Sequence, residues 1–105
     1  MADFKLDGRM KVKTLKDTFK KTFGASLRVY KSVSCKGAFA DDNATLASIR
    51  AEGAKGGELV VAGNIKVGNF EKKLAELYGI GVQVANPADT ELSDNNITIA
   101  AAGRN

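Results

Sequence analysis

Lys13, Lys16, Lys20 and Lys21, followed by Arg28 and Tyr30, form the one constellation in this sequence with enough charge to recognise a partner. Lysine and arginine on one face attract anions and steer their approach. The other residue types that do chemistry are sparse. There is no His, which excludes imidazole bases, Ser-His and Cys-His dyads and His metal sites. Cys35 is the single cysteine, so a disulfide framework and a CxxC centre are both absent. It stands near Lys31 and Lys36, but with no second thiol and no His it is read as an inert thiol. Asp41-Asp42-Asn43 and Asp94-Asn95-Asn96 are rich in oxygen. They lack the length and the distant Glu of a calcium loop, and Asp and Asn build turns by bonding their own backbone. Gly53-Ala-Lys-Gly56-Gly57 lacks the Lys-Ser/Thr ending of a phosphate loop. Gly79-Ile-Gly81 follows a helical pattern, whereas a dinucleotide fingerprint opens one. No catalytic set, metal site or cofactor is therefore expected, and the chain reads as a non-enzyme.

The charge is unevenly placed. The 105 residues carry a net +4. Residues 5–36 hold ten Lys and Arg against Asp7 and Asp17, while residues 37–105 hold six against nine acids. Such asymmetry points to one electropositive surface. The N-terminal residues lack the apolar run of a signal peptide, and Leu59–Ala62 and Ile97–Ala102 are too short to span a bilayer. A cytoplasmic location away from membranes is expected, consistent with the lone cysteine.

The elements that hold these residues follow from an internal likeness. Residues 3–31 align with 58–86 at an offset of 55, pairing Gly8 with Gly63, Lys11 with Lys66, Val12 with Val67, Gly24 with Gly79 and Val29 with Val84. Class matches include Phe4 with Leu59, Leu15 with Phe70 and Phe19 with Leu74. At an offset of 53 the two Asp/Asn turns and the apolar residues after them also align. In each copy an alternating strand is broken by Gly8 or Gly63. A helix follows, with Thr14 or Asn69 as its expected cap and Asp17 three residues beyond Thr14. Val12, Leu15, Phe19 and Phe23 share one helix face, as do Val67, Phe70, Leu74, Leu77 and Tyr78. Gly24 and Gly79 sit where a helix ends in a left-handed residue. Next come strands with Leu27, Val29, Val82 and Val84 inward and Arg28, Tyr30 and Gln83 outward. After the Asp/Asn turns, Ile97 to Ala101 reads as a strand and Ala44 to Leu46 as the start of one, while residues 47–52 suit a strand or a short helix.

The expected fold is thus α+β in a single domain, 1–105. Internally duplicated βαββ units with pseudo-two-fold symmetry, residues 3–50 and 58–104, meet at the Gly-rich joint 53–57. Their two helices pack on one face of a mostly antiparallel sheet. The alternative is a homodimer that continues the sheet through its edges. The lysines fall opposite Leu15 and Phe19 and face solvent. Because the second copy carries Glu71, Lys72 and Glu76 on its helix and Gln83 on its strand, the scaffold does not require a basic face. The expected function is a small binding module whose partner-binding residues are Lys13, Lys16, Lys20, Lys21, Arg28 and Tyr30, holding an acidic protein. A nucleic-acid-binding module on the same face is the alternative.

Overall fold

A computed structural model describes residues 3–31 and 38–104; Cys35 and Lys36 lie outside the described residues. The elements run β1 (Asp3–Leu6), α1 (Val12–Phe23), β2 (Ser26–Tyr30), α2 (Leu46–Ile49), β3 (Leu59–Ala62), α3 (Val67–Tyr78), β4 (Gly81–Ala85) and α4 (Ile99–Ala102). The chain is a small α+β domain with two two-stranded antiparallel sheets and four helices among the described residues. Its Cα radius of gyration is 12.3 Å, close to the ~13 Å of a compact chain of this length.

The apolar periodicity becomes the core. Val12, Leu15 and Phe19 of α1 and Val67, Phe70, Leu74 and Tyr78 of α3 are buried together with Leu27 and Val29 of β2 and Val82 and Val84 of β4. Phe19 and Leu74 are fully buried, as their central helix positions predict. Gly24 and Gly79 end the two long helices with φ of 87° and 65°, a left-handed geometry that glycine adopts without a Cβ clash.

The sheet differs from the expected one. β1 pairs only with β3 and β2 only with β4. The outer edges of β2 and β4 are each closed by one isolated bridge, Tyr30–Phe39 and Ala85–Leu92. That ladder therefore ends there instead of running on into β1 and β3. A single sheet with both long helices on one face is replaced by two sheets, α1 packing on β1 and β2, and α3 on β4.

The third strand of each expected βαββ unit is also replaced. Leu46–Ile49 and Ile99–Ala102 are helices. Thr45 Oγ1 accepts the Ser48 N–H at 3.2 Å and Thr98 Oγ1 the Ala101 N–H at 3.1 Å. This side-chain cap, with alanine-rich sequence behind it, outweighs the Ile97/Ile99 alternation. Extended backbone survives only as single bridges from Thr45 to Lys11 and from Thr98 to Lys66.

The long helices begin earlier than their expected caps. Both start at a valine, so Thr14 and Asn69 lie within the first turn. Two of the orphan N–H groups at each start are met by main chain. Val12 and Lys13 donate to the carbonyls of Ala44 and Asp42 at 2.9 and 3.0 Å, and Val67 and Gly68 to those of Ile97 and Asn95 at the same distances. Neither helix carries a side-chain cap, and two of its orphan donors are satisfied in this way. The Asp/Asn turns supply those carbonyls. Each is set by a side chain: Asn43 N–H donates to Asp41 Oδ1 at 2.9 Å and Asn96 N–H to Asp94 Oδ1 at 2.8 Å.

Candidate basic interface

The candidate basic residues Lys13, Lys16, Lys20, Lys21 and Arg28 occupy α1 and β2, and the structure divides them by what each one touches. Lys13, Lys20 and Lys21 are exposed. Lys13 and Lys21 make no ion pair among the described residues. Lys16 is different. At 100° per residue it lies about 40° around α1 from Val12, at the margin of the apolar stripe. Its side chain is accordingly only 34% exposed, and Nζ stands 2.6 Å from Asp42 Oδ1. The aspartate whose carbonyl accepts the Lys13 N–H thus also holds the Lys16 side chain.

Lys20 and Arg28 reach toward a loop of the other half. Lys20 Nζ donates to the Pro87 carbonyl and contacts Ser26 Oγ at 3.4 Å, while Ser26 Oγ donates to the same carbonyl at 3.2 Å. Arg28 Nε donates to Asp89 Oδ1 at 2.8 Å and Nη2 to the Asp89 carbonyl at 3.3 Å. The hydrogen bond that Arg28 donates to Asp89 raises the guanidinium pKa above its already high ordinary value, so Arg28 carries its charge at every physiological pH. Arg28 is 26% exposed, less open than an outward strand position suggests, because this loop lies beside it.

Residues 86–91 are internally fixed. Asn86 Oδ1 accepts the Thr90 N–H at 2.8 Å and the Glu91 N–H at 3.3 Å, and Asn86 Nδ2 donates to Thr90 Oγ1 at 2.8 Å. Main-chain bonds from Asn86 N–H to Glu91 and from Asp89 N–H to Asn86, each 2.9 Å, complete the loop. Asp89 has φ 57°, the one described non-glycine residue with positive φ.

Tyr30 does not belong to the exposed face. It is 8% exposed, its ring lies 4.8 Å from that of Phe39, and its hydroxyl donates to Gln83 Oε1 at 2.9 Å. It points outward from β2, as the alternation requires, but Phe39 covers it. Phe39 itself is exposed, as are Leu92 and Val60. Sequence periodicity reports which side of a strand a residue takes and carries no information about a bridging residue nine positions on.

The acidic members of this surface, Asp42 and Asp89, were hidden for a similar reason. Both reach the basic residues across long stretches of chain. One sequence signal did mark the region of Asp89: the offset between the two similar stretches drops from 55 to 53 there, so the segments before the Asp/Asn turns differ in length.

The second half is built differently. At the position in α3 that Lys16 occupies in α1 stands Glu71, half-buried, accepting the Val84 N–H at 3.3 Å. Burial pushes its carboxyl above the usual Glu range, opposed in part by that hydrogen bond. Beside α3 a groove of about 400 Å³ is lined by Leu59, Ile65, Asn69, Lys72, Lys73 and Glu76; it includes none of the first-half basic residues. Among the described residues no group of three or more His, Cys, Asp or Glu side chains can hold a metal ion, and no helix is long and apolar enough to cross a membrane. Comparison with protein-family models, with curated proteins and with solved structures gives no match.

Proposed function

We propose that this protein is a non-catalytic, cytoplasmic binding module that uses the basic face of its first half to hold an acidic protein. The observation that carries the reading is Lys13 and Lys21: two exposed lysines on one helix, neither neutralised by an ion pair among the described residues. The matching positions of α3 hold Gly68 and Glu76, so the lysines serve no requirement common to both long helices. Exposed lysines add little to stability, and a charged face of this kind attracts anionic partners.

We further propose that the chain is an internal duplication with a pseudo-two-fold axis. Strand registers support this reading. In the β1–β3 ladder Lys5 faces Val60, and in the β2–β4 ladder Arg28 faces Gln83; in both cases the partners are equivalent at the offset of 55. The helix lengths and the paired first-turn bonds agree with it. One copy then keeps a basic helix while the other does not, as expected when a single copy carries the binding function.

The test is affinity for a peptide of about ten glutamates, measured for wild type, for Lys13→Glu with Lys21→Glu, and for Lys72→Glu with Lys73→Glu. The first pair is expected to abolish binding, since attraction becomes repulsion at the contact; the second is expected to weaken it only slightly. Equal effects of the two pairs overturn the assignment to the first half. A duplex oligonucleotide run in parallel separates the nucleic-acid alternative. If it binds more tightly than the peptide, with a log–log salt slope near −0.9 per phosphate contacted, the partner is nucleic acid instead.

A further inference from the structure

We infer that residues 86–91 are an internal stand-in for the acidic partner, occupying part of the basic face and released when that partner binds. The inference rests on the binding reading given above and deepens it by adding a regulating contact. Lys20, Ser26 and Arg28 all donate to this one loop, and the acceptors are two main-chain carbonyls, of Pro87 and Asp89, and one carboxylate. An acidic peptide lying along α1 and β2 would present the same groups. The loop comes from the other half of the chain and keeps its own hydrogen bonds through Asn86, so its shape does not depend on the contacts to Lys20, Ser26 and Arg28. Asp89 holds a left-handed backbone at φ 57°, a conformation that Asp and Asn adopt more readily than most L-residues. The Arg28–Asp89 pair is partly exposed at both ends, and such pairs are weak enough for a ligand to displace. Lys13 and Lys21, which the loop does not engage, are left to make the first encounter.

The chemistry that fits is an extended segment bearing Asp or Glu. Its carboxylate would replace that of Asp89 on Arg28, and its main chain would replace the Pro87 carbonyl on Lys20 and Ser26. The stand-in lowers the affinity of the free protein for weakly acidic segments and so sharpens discrimination toward those dense enough in charge to displace it.

The experiment titrates a peptide of about ten glutamates into wild type, Asp89→Asn, Glu91→Gln and the two double variants that combine each of these changes with Arg28→Gln. Asparagine tolerates the left-handed backbone, and equal thermal unfolding of all forms checks that the fold is kept. Glu91→Gln removes one charge from the same loop without removing an ion pair. Asp89→Asn is expected to tighten binding about two- to five-fold, the range of a partly exposed pair, and Glu91→Gln by less. In the Arg28→Gln background the extra gain of Asp89→Asn disappears. The Arg28 Nε–H resonance of wild type, saturated with peptide, is expected to leave the position it holds when bonded to Asp89, with the Asp89 amide moving in step. Equal gains from the two loop variants, a gain that persists without Arg28, or an Asp89 amide that stays put on saturation overturns the stand-in and leaves the basic-face reading standing. Failure of every form to bind the peptide overturns both.

Discussion

Phe19 has no exposed surface and stacks on Phe70 of the other half with ring centroids 5.4 Å apart, meeting Phe23 edge-on at 5.2 Å. Phe19→Ala removes both ring contacts and leaves a cavity, so it is expected to cost about 3–5 kcal/mol in urea unfolding, a large part of the stability of a domain this size. An unchanged midpoint would mean that the ring is not a core contact. Glu71 makes a second residue-level prediction, through pH. Its folded-state pKa is raised by burial, so folding favours the neutral acid. The contribution of the group is fully present below the ordinary Glu pKa and is lost as pH rises through the raised folded value. Glu71→Gln keeps an acceptor for the Val84 N–H and removes the buried charge. The variant should melt higher than wild type at neutral pH, and the difference should vanish under acidic conditions where Glu71 is protonated in both states. Lys16 shows what sequence can and cannot convey at this scale. Its angle beside the apolar stripe was there to be read from the spacing to Val12, but the aspartate that holds it lies beyond β2 and the following loop. Lys16→Glu would set a carboxylate against Asp42, so it tests stability as well as binding, whereas changes at Lys13 and Lys21 test binding alone.

Among the elements, those with long, regular apolar spacing were legible in the sequence. Both twelve-residue helices, their buried faces and their glycine ends follow from 3.6-residue periodicity and from Gly24 and Gly79. The short elements were not. In four residues such as Ile99–Ala102, helix and strand spacing are hard to tell apart, and a threonine bond to one N–H decides the outcome. Thr98→Ala is therefore expected to cost about 1 kcal/mol, as for other threonine N-caps, measured by chemical denaturation. α4 is also held by a close approach. A Cβ at Gly103 would stand 1.7 Å from the Phe23 carbonyl oxygen, a backbone atom at the end of α1 that cannot move without disturbing the Gly24 cap. Gly103→Ala is expected to displace α4 and lower the melting temperature sharply. Gly53→Ala, at φ 87° with open space around it, should carry only the left-handed backbone penalty of about 1–2 kcal/mol. Equal melting temperatures for the two variants would show that α4 does not need this contact.

At the scale of the whole molecule, the likeness between residues 3–31 and 58–86 foretold equal elements in equal order but not which strands would pair. Alternation marks the buried side of a strand and leaves its neighbour unspecified, so one sheet and two sheets were equally compatible with the pattern. In the structure each strand of the first half is bonded to a strand of the second, and the core draws on both. The halves produced separately, divided after Lys55, are expected to show little ordered structure alone and to regain it on mixing in equal amounts, as followed by circular dichroism. Independent folding of either half would contradict the shared core. The strand pairing also bears on how the chain reaches this state. Each residue in a ladder meets a partner roughly fifty residues or more along the chain, so the entropy of closing a long loop comes before the first interstrand bond. The two long helices can flicker into being early, but neither sheet can nucleate locally. Folding should therefore be slower than for a helical bundle of this length, as stopped-flow refolding would show.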